Sequence, residues 1–140
     1  MIEAALWSER ATATLTQPTD AVTSCSLLAA GAPQRPAWTV TTVRLDQLSV
    51  PGVRVLVKLD LQGAEPQALE GMGELWDRCA GLLLEVSYGE HGSYEPLRSL
   101  LAAKGFAEAA TFNELETGGV VVEADKLWLR RDSQRAPAGG

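Results

Sequence analysis

The 140-residue chain contains one histidine and two cysteines, and this scarcity excludes several kinds of site. A single histidine, His91, rules out a zinc site built from several histidines. Cys25 and Cys79 lie far apart and lack the spacing of metal ligands, so we interpret both as buried thiols rather than as a disulfide. We therefore expect no bound metal.

Basic residues and long apolar runs are also scarce. Twelve Lys and Arg stand against 18 Asp and Glu, which gives a formal net charge of -6. Binding to a phosphate backbone needs clustered positive charge, so nucleic acid is not an expected partner. No run approaches the roughly 20 apolar residues that span a bilayer. The start of the chain, MIEAALWSER, lacks the basic lead and long apolar run of a signal peptide. These absences predict a cytoplasmic protein without a membrane partner.

Strand and helix signals alternate along the rest of the chain. Residues 1–131 are predicted to form one domain, followed by a disordered tail at 132–140. The predicted elements are a strand at 53–60, a helix from Pro66 to about Trp76, a strand at 82–88, a helix from Ser93–Pro96 to Gly105, and strands at 105–112 and 126–131 around a turn at Gly118–Gly119. This alternation predicts an α/β fold with a parallel sheet.

The strands at 53–60 and 82–88 are apolar at nearly every position, which is typical of central strands covered on both faces. Central strands need neighbours on both sides, yet upstream only residues 2–6 and 11–16 are strand-like. We therefore expect the chain to be the C-terminal part of a longer sheet. An unpaired strand edge would favour a homo-oligomer or pairing with a separate N-terminal half.

Polar residues follow the first of these strands, in the sequence VLVKLDLQGAE at 55–65. Ligands of open α/β sheets bind beyond the carboxyl ends of the strands, so Asp60 is a candidate site residue. Gly63 would allow a sharp turn or the close approach of a ligand. Asp60 and Glu65 could instead serve only to favour the N-terminus of the following helix. The residue types leave both interpretations open for Glu65, and for Asp60 we favour a site role.

These segments resemble the C-terminal half of the FkbM-type S-adenosylmethionine-dependent methyltransferases. In that family a leucine–aspartate pair, here Leu45–Asp46 in TTVRLDQL, precedes a strand that reads K-x-D-x-(E/Q)-G-x-E. The places of this motif are filled by Lys58, Asp60, Gln62, Gly63 and Glu65. Further similar segments are EAALWSERATATL, the serine-rich turn at Ser24–Leu28, LLLEVSY, LLAAKGF and ADKLWLRR. The resemblance covers nearly all of residues 3–131.

The resemblance implies a Rossmann-like class I methyltransferase fold, here incomplete. The family's glycine-rich loop, which cradles the methionine part of the cofactor, and the acid that holds its ribose have no counterpart in this sequence. The glycines at 71–73 lie in or just after a helix and cannot replace the loop. We therefore expect S-adenosylmethionine to be the cofactor of the complete enzyme and the chain to be inactive alone. The alternative is a noncatalytic interaction module or a decayed remnant that uses its exposed sheet edge.

The implied reaction transfers a methyl group to a hydroxyl of a sugar or natural product. Asp60 and Lys58 are the predicted catalytic residues, with Asp60 positioning the hydroxyl or the reacting methyl region. Lys58 lies two residues earlier on the same strand face, where it either forms an ion pair with Asp60 or packs through its aliphatic stem. Ser8 is expected beside the adenine, and Asp60 and Gln62 complete the predicted cofactor contacts.

Two more residues are predicted to bind the substrate. Glu85 lies inside LLLEVSY, where an unpaired buried carboxylate would be costly, so it either meets a cation or lies near the ligand-facing end of the strand. His91 follows in the loop GEHGS, where it acts on the substrate or is simply solvated.

Overall fold

A computed structural model describes residues 4–16, 27 and 37–131. The strands in this part are β1 (Ala5–Leu6), β2 (Thr12–Thr16), β3 (Ala37–Val43), β4 (Val55–Leu59), β5 (Cys79–Ser87), β6 (Phe106–Thr117) and β7 (Val120–Arg130). The helices are α1 (Glu65–Glu70), α2 (Leu75–Arg78) and α3 (Tyr94–Ala103), with a short 3-10 helix at Leu45–Gln47. None of these helices has the length and apolar character needed to cross a membrane. The predicted tail at 132–140, and all of the serine-rich turn except Leu27, lie outside the described residues.

The strands form two sheets. The smaller has the order β1-β3-β2, and the larger has the order β4-β5-β7-β6. In the larger sheet only β4 and β5 are parallel, whereas β7 runs antiparallel to both β5 and β6. The α/β class is confirmed and β4 and β5 are parallel as predicted, but the larger sheet is mixed, because the chain reverses at Gly118–Gly119 and β7 runs antiparallel to its neighbours. Both glycines have positive φ, at 61° and 80°, as a two-residue hairpin turn requires, and such a hairpin joins antiparallel strands.

The main core lies between one face of the larger sheet and the helices. Alternate residues of β5 and β7 are buried on this face, with Leu82 and Leu84 in β5 and Trp128 in β7 almost fully so. Leu69 of α1 and Leu97 of α3 belong to the same core cluster. Burying a side chain of this size contributes about 1.5–3 kcal/mol, so this layer fixes where the ends of β4 and β5 lie.

The strand β4 lies at the edge of the larger sheet, which corrects the prediction of a central strand covered on both faces. Val55 and Leu59 are buried, but Leu56 is 74% exposed and Lys58 is also exposed. This alternation is that of a strand with one covered face. Within the described residues, β5 is the only strand that pairs with β4.

The helix predicted from Pro66 to Trp76 is divided by glycines. The first helix begins at Glu65, with Pro66 second, and ends before Gly71. A Cβ atom on Gly71 would lie 2.6 Å from the carbonyl oxygen of Trp7, and one on Gly73 would lie 2.0 Å from Oδ2 of Asp46. These glycines therefore let neighbouring chain segments pack closely against the helices.

The remaining predicted elements are present, although β6 and β7 extend further toward the hairpin turn than the strands predicted at 105–112 and 126–131. The helix α3 ends close to Gly105, whose φ of 85° is the left-handed conformation expected of a glycine at a helix C-terminus. Cys79 is a buried free thiol, as predicted. The second cysteine, Cys25, lies outside the described residues.

Candidate functional site

The candidate site begins with the loop between β4 and α1, residues 60–64, at the carboxyl end of the parallel strand pair. Two consecutive residues of this loop are left-handed: Gln62 with a φ of 52° and Gly63 with a φ of 95°. For a residue with a side chain this conformation costs roughly 1–2 kcal/mol. Other contacts must therefore hold Gln62 in place.

Glu65 supplies such a contact. Its side chain is fully buried, and its Oε1 accepts a hydrogen bond of 2.6 Å from the backbone N–H of Leu61. Burial raises the pKa of Glu65, while hydrogen bonds from backbone N–H groups, including those of Leu61 and Gly63, act in the opposite direction. Its Oε2 has no hydrogen-bond partner within the described part of the chain. Glu65 therefore stabilises the loop from inside the protein, in addition to any interaction with the helix dipole.

Gln62 joins the ends of the two parallel strands. Its Nε2 donates to Oδ1 of Asp60 at 3.3 Å and to Oε2 of Glu85 at 2.9 Å. Asp60 directly follows β4, and Glu85 lies in β5. Since both oxygens are within hydrogen-bond reach of one nitrogen, they lie no more than roughly 6 Å apart. The structure therefore brings together three of the predicted site residues.

Glu85 has an unusual protonation behaviour. Its half-buried position raises its pKa to about 7, with further contributions from negative charges that include Asp60 and Glu123. The register of β5 and β7 places Asp125 directly opposite Glu85 and Glu123 opposite Ser87, so acidic groups accumulate at this edge. Near neutral pH the carboxyl group can therefore both take up and release a proton.

A cavity of about 130 Å³ opens beside Gln62 and Glu85. Its other lining residues are Gly63, Val86, Ser87, Ser93 and Glu123. The backbone N–H of Ser87 donates to the Ser93 hydroxyl at 3.0 Å, and the backbone N–H of Ser93 donates to the Ser87 hydroxyl at 3.1 Å. These reciprocal bonds tie the end of β5 to the start of α3. The polar lining suits a hydroxylated molecule.

A second cavity, of about 270 Å³, lies between β1 and the same loop. Asp60 is the acidic residue in its lining. The rest of the lining is mainly apolar: Ala4, Ala5, Leu6, Leu15, Leu27, Leu61 and Ala64. Asp60 thus stands next to an apolar space, while its hydrogen-bond partner Gln62 lines the polar one.

Of the two interpretations left open for Lys58, the ion pair with Asp60 is not formed. Three ion pairs are present among the described residues, and none involves Lys58. The side chain is exposed and lies along an apolar groove formed by neighbours such as Leu56 and Leu83. Asp60 is also exposed and lies one residue beyond β4, whereas the predicted strand at 53–60 included it. Two exposed side chains gain little from pairing, which explains the difference.

Within the described residues, Ser8 and His91 line neither of the two cavities. His91 is exposed in the turn after β5. Ser8 is half-buried, and its backbone carbonyl accepts a hydrogen bond of 3.0 Å from Nη1 of Arg44. Arg44 in turn pairs with Asp46 at 2.5 Å, which lowers the pKa of Asp46. The aspartate of the Leu45–Asp46 pair thus helps to position the loop that contains Ser8.

Sequence reasoning missed Ser87, Ser93 and Glu123 as lining residues. Ser87 could have been found from its place at the end of the apolar run LLLEVSY. Glu123 carries no comparable signal, because the hairpin register alone brings it to this edge.

The methyltransferase FkbM domain matches residues 18–112 of the chain. The match includes β4, β5, α1, α3 and the whole Asp60–Gln62–Glu85 bridge. Comparison with curated proteins and with solved structures gives no significant match.

Proposed function

Since the chain belongs to the FkbM methyltransferase family, we propose that it forms the acceptor side of an S-adenosylmethionine-dependent O-methyltransferase site. The observation that carries the proposal is the Gln62 bridge between Asp60 and Glu85, inside the matched domain and at the carboxyl ends of β4 and β5. By resemblance to the family, the acceptor is a hydroxyl of a sugar or natural product. The larger sheet would then be the C-terminal part of a Rossmann-like fold, working in the cytoplasm.

The described residues fit part of the cofactor. S-adenosylmethionine presents a flat adenine and a positively charged sulfonium. The second cavity offers an apolar wall and the Asp60 carboxylate, which suit these two parts. Asp60 and Gln62 would hold the sulfonium end of the cofactor, and Ser8 would lie nearer the adenine. When bound, the cofactor supplies an electrophilic methyl group. A glycine-rich loop between a strand and a helix, which would enclose the methionine part, is not among the described residues.

Asp60 is suited to orient the acceptor. Its exposed carboxylate, beside the second cavity and hydrogen-bonded to Gln62 of the polar cavity, can accept a hydrogen bond from the acceptor hydroxyl. Orientation of the nucleophile is a large part of catalysis in such a displacement. Lys58 and His91, both exposed, would contact the outer parts of the acceptor.

Methyl transfer should therefore depend on Asp60. We would combine the chain with a polypeptide carrying the family's glycine-rich segment and measure transfer of labelled methyl groups to a panel of sugars and hydroxylated natural products. Asp60→Asn keeps the size of the side chain but removes its charge, which weakens the hydrogen bond that orients the acceptor hydroxyl, and we expect turnover to fall by roughly 10²-fold. Glu95→Gln removes an exposed acid on α3 and serves as the matched control. Full activity of Asp60→Asn would contradict the proposed role.

A second candidate function is favoured by the exposed edge strand. Leu56 is 74% exposed on β4, and an unpaired strand edge with an apolar side chain is a surface on which another chain can pair. The chain would then act as an interaction module without catalysis. Methyl transfer by the combined polypeptides would favour the methyltransferase over the noncatalytic interaction module.

A further inference from the structure

Gln62 is the residue on which the geometry of the two acids depends. It is held in a left-handed backbone conformation, which persists only where the surrounding structure determines it. That support is present, because the buried Glu65 fixes the N–H of Leu61, directly before Gln62. The resulting direction of the side chain lets one amide nitrogen reach carboxylates on two different strands.

We propose that Gln62 is a positioning residue that holds Asp60 and Glu85 as one pair, in which Glu85 takes the proton of the acceptor hydroxyl. The inference rests on the proposed function and names the proton acceptor within it. As the acceptor oxygen bonds to the methyl carbon, its O–H proton passes to the Glu85 carboxylate. The electron pair of the broken methyl–sulfur bond remains on sulfur. No further reactant is needed.

The surroundings of the two acids explain the division of roles. Glu85 is half-buried and lines the polar cavity, whereas Asp60 is exposed to water. A carboxyl group in a partly dry site among other acids holds a proton more readily than one in water. The titratable groups that act on Glu85 are Asp60, Glu65, Glu123 and Asp125. All four carry negative charge when ionised, so a hydrogen-bond donor is needed to keep Glu85 available as a carboxylate.

The effect of Gln62 on Glu85 can be measured without enzymatic turnover. NMR titration of the side-chain carboxyl carbons in the whole chain gives the midpoint at which Glu85 ionises. We expect Glu85 to titrate near pH 7 in the unmodified protein. Gln62→Met keeps a side chain of similar length but removes the donor. The ionised form of Glu85 then loses a hydrogen bond, and its midpoint should rise by about one pH unit. An unchanged midpoint would overturn the proposal.

Gln62→Gly separates positioning from loop stability. Glycine adopts a positive φ without strain, so the protein should be at least as thermally stable, while the Glu85 midpoint should rise as it does in Gln62→Met. Gln62→Asn keeps a carboxamide and tolerates the left-handed backbone. Its Glu85 midpoint should therefore lie between that of the unmodified protein and that of Gln62→Met. Gln47→Met removes an exposed carboxamide elsewhere and should leave Glu85 unchanged.

The two proposals fail in different ways. A Glu85 midpoint that does not respond to Gln62→Met or Gln62→Gly overturns the positioning role, even if the combined polypeptides transfer methyl groups. If the midpoint shifts as expected but no acceptor is methylated, the bridge is real and the proposed function is wrong.

Discussion

The protonation of Glu85 links a single residue to the stability of the whole chain. Its pKa is raised from 4.5 in the unfolded chain to about 7 in the folded protein, mainly by burial. Between these values the folded state binds more protons than the unfolded state. The stabilisation from Glu85 is therefore complete below about pH 4.5 and is lost as the pH rises through about 7.

We accordingly predict that the melting temperature falls between pH 4.5 and 8. The slope should be smaller in Glu85→Gln, because the amide does not titrate. Thermal melts followed by circular dichroism at a series of pH values provide the measurement, and Glu95→Gln is the control on the exposed face of α3. Identical pH slopes for the unmodified chain and Glu85→Gln would show that Glu85 titrates at an ordinary value.

At the scale of single residues, the sequence identified site residues where residue type and position in the chain were enough to single them out. Asp60, Gln62 and Glu85 were all named from the motif and the strand pattern, and the structure brings them together. The absence of an ion pair between Lys58 and Asp60 could not be predicted, because it depends on how deeply the strand is buried in the sheet. Glu65 was left between two interpretations, and its bond to the N–H of Leu61 gives it a third, bracing role.

Among the secondary-structure elements, the edge strand β4 offers the clearest prediction. The backbone groups on its outer side and the exposed Leu56 favour pairing with a second chain. We expect light scattering to show that the average mass of the protein increases with concentration.

Leu56→Lys should reduce this self-association, because a charged side chain on an edge strand opposes pairing. Val120→Lys provides a matched control, since Val120 is similarly exposed, at 64%, but lies at the start of β7 beside the hairpin turn. A monomeric mass at every concentration, or equal effects of the two substitutions, would exclude β4 as the contact.

Element type was more predictable than strand direction. The Gly105 cap and the Gly118–Gly119 turn were readable because glycine is favoured wherever φ is positive. The prediction of a parallel sheet held for β4 and β5 but not for β7, because the alternation of strands and helices does not reveal which strand β7 pairs with or in which direction. The break between α1 and α2 also depended on tertiary contacts, since Gly71 and Gly73 pack against Trp7 and Asp46.

At the scale of the whole molecule, the two sheets meet the candidate site from different sides. The smaller sheet contributes the apolar wall through β1, and the larger sheet contributes the acids at the ends of β4 and β5. Acidic residues outnumber basic ones in the chain, with a formal net charge of -6, and the accumulation of acids around Glu85 is the local counterpart of this excess. Which acids would gather there was not predictable, because the β5–β7 register decides it.

Titration of S-adenosylmethionine into the isotope-labelled chain, followed through backbone amide NMR signals, tests the location of the site most directly. Because the described residues include no glycine-rich loop that would enclose the methionine part, we expect weak binding, with shifts concentrated at residues 4–6 and 60–64, which line the second cavity. S-adenosylhomocysteine, which lacks the sulfonium charge, should bind more weakly still to this acidic edge. Tight binding, or shifts elsewhere with these two segments unaffected, would contradict a methyltransferase site at the ends of β4 and β5.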